Sequence, residues 1–183
     1  RAQWQIDPLH VCPDHGVLLG GLDPPDYPRC PHDFAGRLAD HRVLVGEDAA
    51  EAGGEAVRYA RMLSDRLHAP SQSISRSWLD ALPIDVAARL CENIGALVNV
   101  GPEARPGVLD RKDLVAVGAS GFAICVQGPE ALREVYDGIR RSSRSTKGGF
   151  YADFGFYTRW LQRLTQPDRY LPILDHFRDF VLE

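Results

Sequence analysis

At 183 residues, with 44% hydrophobic and 25% charged side chains, the chain is large and apolar enough to bury its own core, which excludes a disordered chain and a disulfide-stapled miniprotein. A formal charge of −4 excludes a surface basic enough to coat nucleic acid everywhere, so any such contact has to be local. The four cysteines lack extracellular spacing, and there is no signal-peptide pattern or apolar run of about 18 residues, so a reduced, cytoplasmic protein without a membrane span is expected.

The chain opens on Arg1 and not Met, and a longer parent chain is expected. Residues 1 to about 45 are dense in Pro, Gly, His and Asp, with only short apolar runs, "GVLLG" and "HRVLVG", and predict a small ribbon of brief strands and turns. From Glu47 the pattern turns helical: "EDAAEAGGEAVRYARMLSDRLHA" spaces Val57, Ala60, Leu63 and Leu67 on one face, with an acidic first half read as a solvated N-terminal turn. "LPIDVAARLCENIGALV" repeats Ile84, Ala87, Leu90, Cys91, Ile94, Leu97 and Val98 at helical spacing behind Pro83.

A Gly/Pro loop leads to "DRKDLVAVGASGFAICVQ", where Gly118 and Gly121 let a helix end or pack closely on a neighbour, and "GFAICV" reads equally as helix or strand. Three more helices follow: "PEALREVYDGIRR" on Leu132, Val135, Tyr136 and Ile139, "ADFGFYTRWLQRL" on Phe154, Tyr157, Trp160, Leu161 and Leu164, and "DRYLPILDHFRDFVLE" on Leu171, Leu174, Phe177 and Val181. The expected fold is mainly α: a zinc-ribbon-like module over 1–45 packed on a multi-helix domain over 46–183, whose helix pairs on short loops are compatible with helix-turn-helix-like units. Cys91 and Cys125 sit in apolar surroundings as buried, inert residues; Trp78 and Trp160 anchor the helical core, and Trp4 packs the ribbon onto it.

The chemistry-bearing stretch is "HVCPDHGVLLGGLDPPDYPRCPHD". Structural zinc takes about four N, S or O ligands, often two from one tight turn, and Cys12-Pro-Asp-His15 has that spacing. Gly16 permits the positive φ such turns demand, and Cys30 opens a second knuckle after a gap of 14 residues from His15. The fourth ligand is either His32, the better ligand type at a tighter spacing, or Asp33, at the usual i, i+3 spacing; His10 and His41 are reserves. The competing reading makes Cys12 and Cys30 small buried residues and the histidines surface polar ones. A catalytic zinc is disfavoured because no His-Glu-x-x-His or His-x-Glu with a Cys-x-x-Cys pair is present.

The order "W…P…CPDHG…L…CPHD", then "SWLDALPIDVAARLCENIGALV", "GASGFAICVQGPEALREVYDGIRR" and "FGFYTRWLQRL", resembles the TniQ family of transposition proteins over nearly the whole chain. Cys12, Pro13, His15 and Gly16 are its most specific part; Gly121-Phe122, Tyr157 and Leu161 add softer support. The sequence departs from the family pattern in two places: no Cys-x-x-Cys precedes Trp4, and Asp33 stands where the family has its last cysteine. The resemblance implies a non-enzymatic adaptor of zinc-binding ancestry, with a degenerate or truncated site as the alternative to an occupied one, that links a targeting complex carrying DNA or guide RNA to an AAA+ ATPase, which recruits the transposase. A homodimer is compatible with it. The alternatives are a helix-turn-helix DNA-binding regulator and, more distantly, a zinc hydrolase.

Arg140, Arg141, Arg144 and Lys147 in "IRRSSRSTKGGFYADFGFY" form a cationic stretch beside Phe150, Tyr151, Phe154 and Tyr157, which suits phosphate contact with base stacking. The plainer reading is a solvated loop with the aromatics in the core. "RSTKGG" lacks the Gly-x-x-x-x-Gly-Lys-Ser/Thr order of a phosphate loop.

Overall fold

The computed structural model describes residues 8–20, 49–68, 77–143 and 149–183. The chain is mainly helical, with α1 Gly54–His68, α2 Ile84–Asn99, α3 Arg111–Cys125, α4 Pro129–Ser142, α5 Phe150–Gln162 and α6 Leu171–Leu182. Trp4, "HRVLVG" and most of the expected ribbon lie outside the described residues.

The first expected helix starts later than its acidic run suggests. Ala50–Ala52 is extended instead, because Leu18 donates its amide to the Ala50 carbonyl and Ala52 to the Gly16 carbonyl, both at 2.8 Å. An antiparallel bridge of Val17 with Glu51 results, and a second, Val11 with Leu18, is closed by the Cys12 amide on the Val17 carbonyl and the Leu19 amide on the His10 carbonyl. Among the described residues no longer strand forms. The Gly53-Gly54 pair then turns the chain into α1, and the ion pair Glu55–Arg58 at 2.7 Å stabilises the first turn only weakly, being exposed.

Helix α2 is the centre of the fold and is buried nearly all round, through Val86, Ala87, Leu90, Cys91, Ile94 and Leu97 among others. Its expected apolar face stops one residue early, for Val98 is 46% exposed. Helix α3 crosses α2 with the two backbones touching: a Cβ at Gly121 would lie 1.7 Å from the Cys91 carbonyl oxygen, and one at Gly95 1.8 Å from that of Val117. Gly118, one turn earlier, lies beneath the Tyr59 ring of α1, 2.8 Å from where its Cβ would be. "GFAICV" is therefore helix, with both glycines used for close approach. Asp110 caps α3 by accepting the Asp113 amide at 2.8 Å.

Three residues, with Gly128 at φ 111°, join α3 to α4, and the chain direction changes by 115° between them. Pro129 occupies the first turn of α4, where its missing N–H costs nothing. Helix α5 is broken at Gly155 (φ 41°, ψ −108°), and the freed Phe156 amide donates to the Pro102 carbonyl at 2.9 Å. Trp78 is half-buried and donates its indole N–H to the Cys125 carbonyl at 2.5 Å, closing the C-terminal end of α3. Cys91 and Cys125 are fully buried, and burial pushes the Cys125 thiol well above its ordinary value, so it stays protonated.

Helices α4, α5 and α6 share an aromatic core. Tyr136, Phe154, Tyr157, Phe177 and Phe180 are buried, with Phe154 edge-on to Tyr136 and to Phe177. The Tyr136 and Tyr157 hydroxyls satisfy each other at 2.8 Å, and burial pushes both pKa values up. His176 of α6 lies at this core's edge, 6.0 Å from the Tyr136 ring, and its buried Nε2 has no hydrogen-bond partner among the described residues.

Burial pushes the His176 imidazole below its ordinary pKa, with Arg133 adding to the effect and Glu130, Asp179 and the Pro129 carbonyl opposing it. The unfolded chain therefore binds this proton more tightly than the folded one, and stability contributed by neutral His176 is lost as pH falls from about 6.5. Urea midpoints measured between neutral and mildly acid pH are expected to fall more steeply for the native chain than for His176→Gln. Equal slopes would show that His176 titrates as freely as in the unfolded chain.

Candidate metal centre and basic surface

The Cys12 knuckle is a closed turn. The Cys12 amide donates to the Val17 carbonyl and the Gly16 amide to the Cys12 carbonyl, both at 2.9 Å, and Gly16 takes the positive φ of 66° that the sequence anticipates. This turn brings Cys12 Sγ to 3.3 Å from His15 Nδ1. Two ligands on one tetrahedral zinc, with Zn–S about 2.3 Å and Zn–N about 2.0 Å, stand about 3.5 Å apart, so the pair needs only a small adjustment to share an ion. Cys12 is buried and His15 exposed, which places a shared ion at the surface edge of the turn.

Tertiary contacts fix the knuckle in place. Arg61 of α1 donates to the Pro13 carbonyl at 3.2 Å, Arg111 of α3 donates to the Leu19 carbonyl, and Leu9 and Val11 join the helical core. Neither arginine was legible as part of this site, since they lie 48 and 92 residues from their acceptors and no local spacing links them.

Cys30, His32, Asp33 and His41 lie outside the described residues. Among the described residues no three His, Cys, Asp or Glu side chains gather around a common point, and His10 does not join Cys12 and His15 in such a group. The described half of the knuckle pair thus fits zinc as a two-ligand chelate.

The basic stretch resolves into residues of different kinds. Arg140, in the last turn of α4, lays its guanidinium 5.4 Å from the centres of both the Phe150 and Phe180 rings, so it covers the aromatic core as well as facing solvent. Arg141 is exposed and donates to the Asp137 carbonyl at 3.3 Å. Arg144 and Lys147 lie outside the described residues. Of the neighbouring aromatics, Phe154 and Tyr157 are fully buried and Phe150 is half-buried, whereas Tyr151 is 58% exposed and is the ring available for stacking.

Sequence reasoning missed a groove between α5 and α6. It encloses about 310 Å³ and has Tyr151, Gln162 and Arg178 along its lips and Leu161, Leu174 and Phe177 in its floor. Gln162 donates to the Tyr151 hydroxyl along the α5 side of the groove.

Among the described residues no single helix is long and apolar enough to cross a membrane. In comparisons with known proteins, no family model, no curated protein and no solved structure matches the chain.

Proposed function

We propose that this chain is a non-enzymatic adaptor of the TniQ type in DNA transposition, binding an AAA+ ATPase on one side and a target-recognition complex on the other. The observation that supports it best is the convergence of Cys12 and His15 within a glycine-closed turn pinned to α1, because this is the most specific residue pattern behind the resemblance. Zinc would be held by Cys12, His15, Cys30 and either His32 or Asp33, and would supply structural closure of the N-terminal module. Arg140 and Arg141, both exposed at the end of α4, and Arg144 and Lys147, which follow in the sequence outside the described residues, are the candidate contacts for nucleic acid on an otherwise acidic protein, with Tyr151 as the exposed ring.

The regulator reading has one observation in its favour: α3 and α4 meet at 115° across a three-residue turn containing Gly128, as helix-turn-helix pairs do. In such pairs the start of the second helix enters the major groove, and here that helix exposes Glu130, Glu134 and Asp137. Those carboxylates repel phosphate, so a protein partner fits this pair better than duplex DNA.

Co-expression of the tagged chain with the AAA+ ATPase of a transposition system tests the adaptor reading. Retention of the ATPase is expected, with at least about tenfold loss in the Cys12→Ser, His15→Ala double variant if the ordered module forms part of the contact. A chain that retains no ATPase, yet protects a defined operator with steep salt dependence, would overturn it in favour of the regulator.

A further inference from the structure

We propose that the pocket between the end of α1 and the start of α2 seats the Trp4 side chain, so that the segment before Pro8 is anchored on the helical core. The inference goes beyond the adaptor reading and does not rest on it. It gives a definite seat to the packing that the sequence leads one to expect of Trp4.

The pocket holds about 380 Å³. One wall is a single stripe of α2, where Ile84, Asp85, Ala88, Arg89 and Glu92 recur at helical spacing, and Leu67 of α1 and Pro8 close it from the other side. A cavity of about 150 Å³ already takes up benzene, so there is room for the larger indole. Chain continuity then names the occupant. Pro8 is the first described residue and stands in the pocket wall, so residues 1–7 join the described chain at the pocket itself. Trp4 is their one aromatic residue, and the four-residue step from Trp4 to Pro8 spans at most about 14 Å, which keeps the ring within reach.

The lining suits an indole in particular. Leu67 and Ile84 are only half-buried and supply apolar contact. Asp85 is engaged by Arg169 at 2.5 Å, whereas the half-buried Glu92 brings a carboxylate with several acceptor positions, one of which can take the indole N–H. Arg89 is exposed on the same stripe, where its guanidinium can cover the ring face.

Residues 69–76 also adjoin the pocket, leaving α1 just after Leu67, and their one large apolar side chain is Ile74. An aliphatic side chain offers neither an N–H nor a π face, so it would take water from Glu92 and Arg89 and return nothing. Leu9 and Val11 already join the core, and a seated Trp4 would hold the chain from the upstream side of the Cys12 knuckle as well.

The test uses the full chain labelled with 5-fluorotryptophan and read by fluorine NMR, with the Trp4 line assigned through Trp4→Phe. That line is expected away from the position of free 5-fluorotryptophan, with little solvent isotope shift between H2O and D2O. Arg89→Ala and Ile84→Ala should each move it by more than its width, while Arg141→Ala, which does not line the pocket, should not. In melts, Trp4→Ala should lower Tm by about 5 °C or more in the native chain and by clearly less in the Ile84→Ala background, because both remove one contact.

A Trp4 line at the free position, one that ignores both pocket variants, or strictly additive Tm losses would overturn the proposal. So would non-additive losses for Ile74→Ala with Ile84→Ala beside additive ones for Trp4→Ala, because residues 69–76 would then be the occupant.

Discussion

A Gly121→Val variant is expected to lose about 4 kcal/mol or more of folding stability, above the usual range for overpacked cores. The added Cβ would fall 1.7 Å from the Cys91 carbonyl oxygen, 2.6 Å from its carbon and 2.8 Å from the Gly95 nitrogen, and all three are backbone atoms. No rotamer change relieves such a clash. The helices must separate, and separating them opens the contacts of Leu90, Ile94, Val117 and Phe122 in the most buried part of the molecule.

Urea denaturation followed by far-UV circular dichroism reads the effect, and a loss below about 1 kcal/mol would show that α2 and α3 do not cross with touching backbones. Gly138→Ala provides the opposite sign. Gly138 lies inside α4, a Cβ there meets nothing within 4 Å, and alanine is preferred in a helix interior by about 0.5–1 kcal/mol, so this variant should be stabilised.

The contrast between those two glycines explains what the sequence could convey. Local periodicity identifies α2 and α4, because their buried positions recur at helical spacing whatever they pack against. It leaves "GFAICV" undecided, since a short apolar run fits a strand as well as a helix, and the contact that makes it helical involves Cys91 and Gly95, some thirty residues back.

The false start of the first helix has the same origin. Ala50–Ala52 reads as helical by composition, yet its amides and carbonyls pair with Gly16 and Leu18, a partner no local window contains. The break at Gly155 is equally silent, because the Pro102 carbonyl that occupies the space of its missing Cβ comes from the loop after α2. Within the site, Cys12 and His15 were legible through their i, i+3 spacing. Arg61, Arg111 and the groove beside Tyr151 depend on tertiary placement and were not.

Removal of zinc is expected to lower the melting temperature of the metal-loaded chain by about 5–10 °C, if zinc is supplied at about a hundredfold above its dissociation constant. The helical core has its own apolar burial and should survive chelation. What chelation removes is the closure of the N-terminal module, and that module is coupled to the core through Leu9 and Val11, the Arg61 bond to Pro13 and the Arg111 bond to Leu19.

The same coupling makes the effect visible in a global melt. Because Cys and His bind metal only in their deprotonated forms, uptake should weaken as pH falls. Elemental analysis of the purified chain should find a single zinc ion, lost in the Cys12→Ser, His15→Ala double variant. Comparing His32→Ala with Asp33→Ala then identifies the fourth ligand, as only the true one should reduce occupancy. Zinc-free protein whose melting temperature ignores both added metal and chelator would show that Cys12 and His15 merely touch inside a turn that Gly16 and Arg61 hold without an ion.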